Sequence, residues 1–278
     1  MAEIIDFPEI PPPGMYSLSE LPQRGSIAKQ AFGSGWVELD QILKFYLGQF
    51  IVLTGIAGHG KSTFMLNVLT KMALEKGVGS FLYVPENEAH LMEKLRLMWR
   101  GSQASFRHFA ASQCAIQTAV PSEHREPPHT IDWVLGRAEW AVTHRKAEIV
   151  LIDPWNELER SKPRDMLMTD YIGESLMLVK QFCRAMKAVV VIVAHPTKAI
   201  NQNGGKISGL ADIEGSMNWF NKCDNGLIVV RKDSTAKVIS AKVRETGAGK
   251  VGTCHFYVDP ATGLYTPQVG SDSDVQQF

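Results

Sequence analysis

The stretch that most constrains this chain begins at Gln49-Phe50-Ile51-Val52-Leu53-Thr54, runs into Gly55-Ile56-Ala57-Gly58-His59-Gly60-Lys61-Ser62, and continues as a helical pattern with Met65, Val68, Leu69 and Met72 on one face up to Gly77. A G-x-x-x-x-G-K-S run between an apolar run of strand length and an amphipathic helix has the context that a phosphate-binding loop requires. The glycines let backbone N–H groups turn toward one point, and the helix start adds the positive end of its dipole. Lys61 can reach the β- and γ-phosphates while Ser62 ligates Mg²⁺. Gly55, Ile56, Ala57, Gly58, His59, Gly60, Lys61, Ser62 and Thr63 are therefore expected to cradle ATP or another nucleoside triphosphate.

A chain of 278 residues with 45% apolar content can bury one large α/β core. Cys114, Cys183, Cys223 and Cys254 form no C-x-x-C pair, which suggests neither a zinc site nor a disulfide framework and fits a reducing, cytoplasmic setting. No basic leader precedes a long apolar run, and the apolar run 188–194 is too short to span a bilayer, so no membrane association is expected. Lys plus Arg equals Asp plus Glu at 29 each, so support for a nucleic-acid partner must come from local clusters.

Residues 1–30 carry Glu3, Asp6, Glu9, Glu20 and five prolines, with no basic residue before Arg24, and read as an arm. It is either a solvated acidic leader or an extended segment that docks on a neighbouring subunit. The folded domain is expected over 31–268, opening on Trp36, Leu39, Ile42 and Leu43 at helical spacing, with a polar tail over 269–278. Residues 80–84 read as a strand followed by Glu86, placed beyond a strand's carboxyl end where a carboxylate can polarise water. Glu88 is the rival, read as a first-turn residue of the next helix. Residues 100–129 show little periodicity, and His108, His124 and His129 read as exposed loop histidines. After a helical pattern at 131–144, the apolar strand 148–152 ends in Asp153, a Walker B pattern that can hold the Mg²⁺ water shell beside Ser62.

A helix over 170–187 and a strand over 188–194 ending at His195 repeat the strand–helix alternation of a doubly wound α/β sheet. No acid occurs between Ser175 and Ala211, and the loop there carries Lys198, Asn203 and Lys206, suited to phosphate contacts with nucleic acid. Strands are expected over 224–231, 236–243 and 251–258, with a second basic cluster that includes Arg231, Lys242 and Arg244.

These motifs together resemble the motor domain of DnaB-like, superfamily 4 hexameric replicative helicases, closest to the phage-type and Twinkle-type branch. The resemblance covers about residues 33–267. It rests on G-W-V-E-L-D, G-I-A-G-H-G-K-S, Y-V-P-E-N, V-L-I-D-P-W-N-E-L, V-A-H-P-T-K, E-G-S-M-N-W-F-N-K-C-D-N-G, K-V-R-E-T-G and Y-V-D-P-A-T-G-L-Y in that order. It implies a RecA-like P-loop NTPase core, a mainly parallel sheet flanked by helices with a C-terminal antiparallel extension. It further implies a homo-oligomeric ring that hydrolyses nucleotide at subunit interfaces and moves along single-stranded DNA.

Carried over by motif, Lys61 and Ser62 hold phosphates and Mg²⁺, Glu86 is the catalytic carboxylate, Asp153 the Walker B acid, and His195 the γ-phosphate sensor. Arg244 matches an arginine finger with Lys242 as its companion, both reaching a neighbour's nucleotide, and Arg231 matches a residue near the bound base. His59 occupies a variable loop position and is assigned no chemistry. Phage-type members carry a primase-like half before the motor, whereas the thirty-residue arm has neither the length nor the zinc ligands for one. The resemblance therefore leaves a freestanding motor, one half of a split system with a separate primase or replication protein, or a motor relic that only binds. Two other functions compete with a helicase or translocase: a recombinase-like filament ATPase, and a nucleotide-switched DNA-binding loader or scaffold with slow turnover.

Overall fold

The computed structural model describes residues 27–117, 128–160, 164–197, 200, 207–215 and 217–268, apart from the side chains of 87–89. Its strands are β1 Phe50–Thr54, β2 Gly79–Tyr83, β3 Cys114–Gln117, β4 Ala147–Ile152, β5 Val189–Val193, β6 Asn225–Lys232, β7 Thr235–Val243, β8 Gly252–Val258 and β9 Tyr265–Pro267. They form one sheet in the order β3-β2-β4-β5-β1-β6-β7-β8-β9. The first six in that order run parallel, and β7, β8 and β9 add on antiparallel. This is the expected RecA-like α/β core with its antiparallel extension.

The helices are α1 Ile27–Gln30, α2 Val37–Asp40, α3 Lys61–Lys76, α4 Glu88–Met98, α5 Gln103–His108, α6 Ile131–Arg145, α7 Met168–Met186 and α8 Asn218–Lys222. Strand pleating sends alternate side chains to opposite faces, and this divides the core in two. Ile51 and Leu53 of β1 face a cluster that includes Phe64, Val68 and Met72 of α3, whereas Phe50 and Val52 face one that includes Leu176 and Val179 of α7. Because both faces of β1 are covered, all five of its residues are buried, which explains why its sequence is an unbroken apolar run and not an alternating one.

Two expectations are corrected here. Residues 103–117, read as aperiodic, fold into α5, a π-helical turn at Phe109–Gln113 and the edge strand β3. The four-residue strand is too short to display a period of two, and its burial is only partial. His129, read as an exposed loop histidine, is buried instead, its Nδ1 3.2 Å from the Tyr83 hydroxyl and its ring stacked on Trp133. His108 is exposed at the end of α5, and His124 lies outside the described residues.

The antiparallel extension is fastened to the phosphate-loop helix by aromatic packing. Phe256 of β8 lies 5.3 Å from Trp36, 5.9 Å from Phe64 and 5.6 Å from Tyr265 between ring centroids. Among the described residues, no helix is long and apolar enough to cross a membrane. Residues 1–26 and 269–278, most of the expected arm and tail, lie outside the described residues, while Ile27–Gln30 forms α1 with Ala28 against Gly247.

Removing the ring at the centre of this cluster leaves a cavity between β8 and α3. Phe256→Ala is expected to cost about 3–5 kcal/mol of stability, measured by urea denaturation. A loss below about 1 kcal/mol would show that the extension is held some other way.

Candidate active site

Parallel strands present all their carboxyl ends at one edge of the sheet, and the loops leaving β1, β2, β4 and β5 there carry the candidate residues. The phosphate loop follows β1. Gly55 takes φ 155° and lies so close to β6 that a Cβ would stand 2.4 Å from the Val229 carbonyl oxygen. Gly60 takes φ 83° and precedes α3, where a Cβ would come within 2.8 Å of the Tyr265 hydroxyl. The first intrahelical bond of α3 is Phe64 N to Gly60 O, so the N–H groups of Lys61, Ser62 and Thr63 fall in the helix's unpaired first turn, the arrangement that receives anions.

Lys61 is 5% exposed, and its Nζ donates to the carbonyls of Gly55 at 2.8 Å and Ile56 at 3.1 Å. Burial lowers its pKa, against the upward pull of Asp153 and Glu86. Such an ammonium gains from the approach of an anion, because the Coulomb attraction offsets the hydration that burial removed.

Asp153 follows β4 and extends its ladder to β2 through its N–H bond to the Tyr83 carbonyl at 2.9 Å. Its carboxyl is almost fully buried, which raises its pKa, while a hydrogen bond from Ser62 and the charges of Lys61 and Lys94 oppose the rise. A hydroxyl and a carboxylate joined beside a phosphate cradle are hard oxygen donors of the kind Mg²⁺ takes, one or two from protein and the rest from phosphates and water. Ser62 and Asp153 therefore fit Mg²⁺.

Glu86 lies in the 3₁₀ turn Pro85–Asn87 after β2, and α4 begins at Glu88. Although Glu86 is exposed as a residue, partial burial of its carboxyl raises its pKa, followed by the charge and hydrogen bond of Glu157 and by Asp153, with Lys61 opposing. His195 follows β5 and is half-buried; burial and then Lys61 lower its pKa, while Glu157 and Glu214 oppose. Loops far apart in the chain thus bring Lys61, Ser62, Glu86, Asp153 and His195 into one electrostatically coupled group.

Arg231, near the end of β6, joins the same edge. Its N–H lies 3.4 Å from His59 Nδ1, and its side chain runs beside Gly60. Lys242 and Arg244 do not join it. Lys242 pairs across from Gly226, which itself pairs with Val52, and the Arg244 N–H bonds to the Asp224 carbonyl beside Phe50. Arg244 is thus level with the start of β1, about 17 Å before Gly55 at ~3.3 Å per strand residue. Lys198, Asn203 and Lys206 lie outside the described residues.

Three contributors escaped the sequence reading. Asn67, buried in α3, donates to the Gly263 carbonyl at 3.0 Å and accepts the Tyr265 N–H at 3.0 Å, which seats the Tyr265 hydroxyl 3.3 Å from the Gly60 carbonyl. Asn67 lies on the side of α3 away from Met65, Val68, Leu69 and Met72, so the helical pattern gave no signal of its burial. Glu157 sits in the motif after Asp153 and becomes visible only through its contact with Glu86.

A family model described as AAA domain matches residues 38–201. The chain is 28% identical over 256 residues to the Twinkle homolog protein, chloroplastic/mitochondrial, of Arabidopsis thaliana, covering 84% of this chain and 36% of that protein. The chain therefore spans little more than a third of that relative's length. Among solved structures, one described as an ATPase domain superimposes with a TM-score of 0.68 at 19% identity, over 84% of this chain and 89% of that one. A DnaB-like replicative helicase, whose structure is described together with its interactions with primase, gives 0.69 at 19% identity over 84% and 62% of the respective chains.

Lys61→Ala is expected to abolish nucleoside triphosphate binding, since the loop would lose its direct neutralisation of the β- and γ-oxygens. Equilibrium binding of a fluorescent ATP analogue checks this, and undiminished affinity would remove Lys61 from the site.

Proposed function

We propose, from the premise that the chain belongs to the AAA domain family, that it is a ring-forming motor of the DnaB-like, Twinkle type that hydrolyses ATP between subunits to move along single-stranded DNA. The observation that carries this reading is the separation of Arg244 from its own phosphate loop. A guanidinium at the opposite end of the sheet serves hydrolysis only when another copy brings its loop to it.

In this reading Lys61 and the amides of the loop bind and orient the triphosphate, and Ser62 and Asp153 would hold Mg²⁺, which when bound supplies charge neutralisation on the phosphate oxygens. Glu86 takes a proton from the attacking water, and His195 senses the γ-phosphate. Arg231, beside Gly60, lies near the base. Arg244 and Lys242 meet the developing charge on the neighbour's γ-phosphate. Lys198, Asn203 and Lys206 contact the DNA backbone, and a separate primase or replication protein is the partner. Four free cysteines suit a reducing, cytoplasmic compartment. The reading is tested by the ATPase rate with and without single-stranded DNA and by the mass of the protein with nucleotide bound. DNA-independent hydrolysis by a monomer would overturn it.

Glu86→Gln should bind nucleotide yet hydrolyse it about a hundredfold or more slowly. Because burial and Glu157 raise the Glu86 pKa, its charged form is lost as pH falls sooner than for an ordinary carboxylate. Activity should decline on the acid side accordingly, and Glu157→Gln should move that limb to lower pH. An unmoved limb would mean that another group sets it.

Arg244→Ala should bind nucleotide normally and hydrolyse it about 10³- to 10⁵-fold more slowly. Mixing it with Lys61→Ala should restore activity, because an intact loop from one copy meets an intact Arg244 from the other. Mixing Lys61→Ala with Glu86→Gln should not, since both defects lie on one side of the interface. Full activity of Arg244→Ala, or no gain in mixtures that demonstrably co-assemble, would refute action in trans.

A further inference from the structure

Among the described residues two aspartates are buried, Asp153 at the nucleotide edge and Asp224 at the opposite end of the sheet. Asp224 is 5% exposed and lies one residue before β6. Its Oδ2 accepts the Phe50 N–H at 3.0 Å, and its Oδ1 faces both Lys180 Nζ at 2.9 Å and Arg244 Nε at 3.2 Å. Its main chain is engaged as well: its N–H donates to the Phe50 carbonyl at 2.8 Å, and its carbonyl accepts the Arg244 N–H at 2.9 Å. Holding a strand's first amide requires an acceptor but no charge, and a buried carboxylate is costly unless cations and donors fill both oxygens. Both are filled here, and one of the two cations is Arg244.

The Arg244 guanidinium is held from two sides. Nη2 donates to the carbonyls of Asn221 at 2.8 Å and Cys223 at 3.2 Å, and Nε faces Asp224. These contacts use Nε and one terminal nitrogen and involve no bond from Nη1 among the described residues. The Arg244 side chain is 40% exposed, so the ion pair contributes little to stability by itself. Its effect is geometric, because a long side chain that would otherwise sample many rotamers is fixed in one orientation.

We propose that Asp224 is a positioning residue that fixes the guanidinium of Arg244 in the orientation it presents to the neighbouring subunit's γ-phosphate. This rests on the reading of Arg244 as acting in trans. The same carboxylate bonds to the first residue of β1, whose other end opens into the phosphate loop, so one buried group ties the outgoing arginine to the strand that carries the chain's own nucleotide site.

The test is Asp224→Asn, which keeps an acceptor for the Phe50 N–H and removes the charge facing Arg244. Nucleotide affinity and oligomer mass should be unchanged while kcat falls roughly 10- to 100-fold. Copies carrying Asp224→Asn should be rescued by copies carrying Lys61→Ala and not by copies carrying Arg244→Ala. In the double variant with Arg244→Ala, Asp224→Asn should cost nothing further. Wild-type turnover by Asp224→Asn beside a defective Arg244→Ala would overturn this inference alone, whereas wild-type turnover by Arg244→Ala would overturn the trans reading and this inference with it. A loss that adds to that of Arg244→Ala, or that Lys61→Ala copies do not rescue, would make Asp224 merely structural. Where Asp224→Asn does not fold, Asp224→Glu, which retains the charge and shifts it by one methylene, should show a smaller kcat loss with the same pattern of rescue. Failure of that rescue also overturns the inference.

Discussion

The rest of the structure depends on β1 being paired on both edges, with β5 on one side and β6 on the other. A central strand with both faces covered cannot shift in register without breaking two ladders and exposing apolar side chains. The loop leaving its carboxyl end is therefore fixed relative to its neighbours. Thr54 adds a side-chain bond to the Ala194 carbonyl at 2.8 Å, which binds the exit of β1 to the exit of β5 and holds the loop close to His195. Because β5 separates β1 from β4, Asp153 meets Ser62 across an intervening strand, and it is the path of the 55–60 loop that brings Ser62 over to it.

On this rigid edge the electrostatics are built around one buried cation. Lys61 influences His59, Glu86, Asp153 and His195, and burial dominates the shift of each of the four. Desolvation disfavours the charged form of each of these groups, and for the cation at the centre, Lys61, an approaching anion offsets that cost.

Strand β6 extends this logic beyond the chain's own site. Its amino end adjoins Asp224, Lys180 and Arg244, while toward its carboxyl end Arg231 reaches the phosphate loop. The antiparallel extension is not an appendage. Through Asn67, Phe256 and Tyr265 it is bonded to the helix that begins at Lys61. One element therefore joins the group proposed to act on a neighbour with the loop proposed to receive one.

Much of this was legible in the amino-acid order. The G-x-x-x-x-G-K-S run located the loop between strand and helix, because glycines adopt its backbone angles without strain and a strand buried on both faces reads as consecutive apolar residues. The ends of the apolar runs located Glu86, Asp153 and His195, since residues at the carboxyl ends of parallel strands share one edge. Edge strand β3 left no periodic trace, and the burial of His129 depends on a tyrosine 46 residues earlier. Sequence could not set the strand order, the seating of Tyr265 over Gly60, or the joining of Asp224 to Phe50. Local propensity and periodicity are properties of neighbouring residues, whereas those last two contacts span 205 and 174 positions and exist only once the sheet has decided which strands lie side by side.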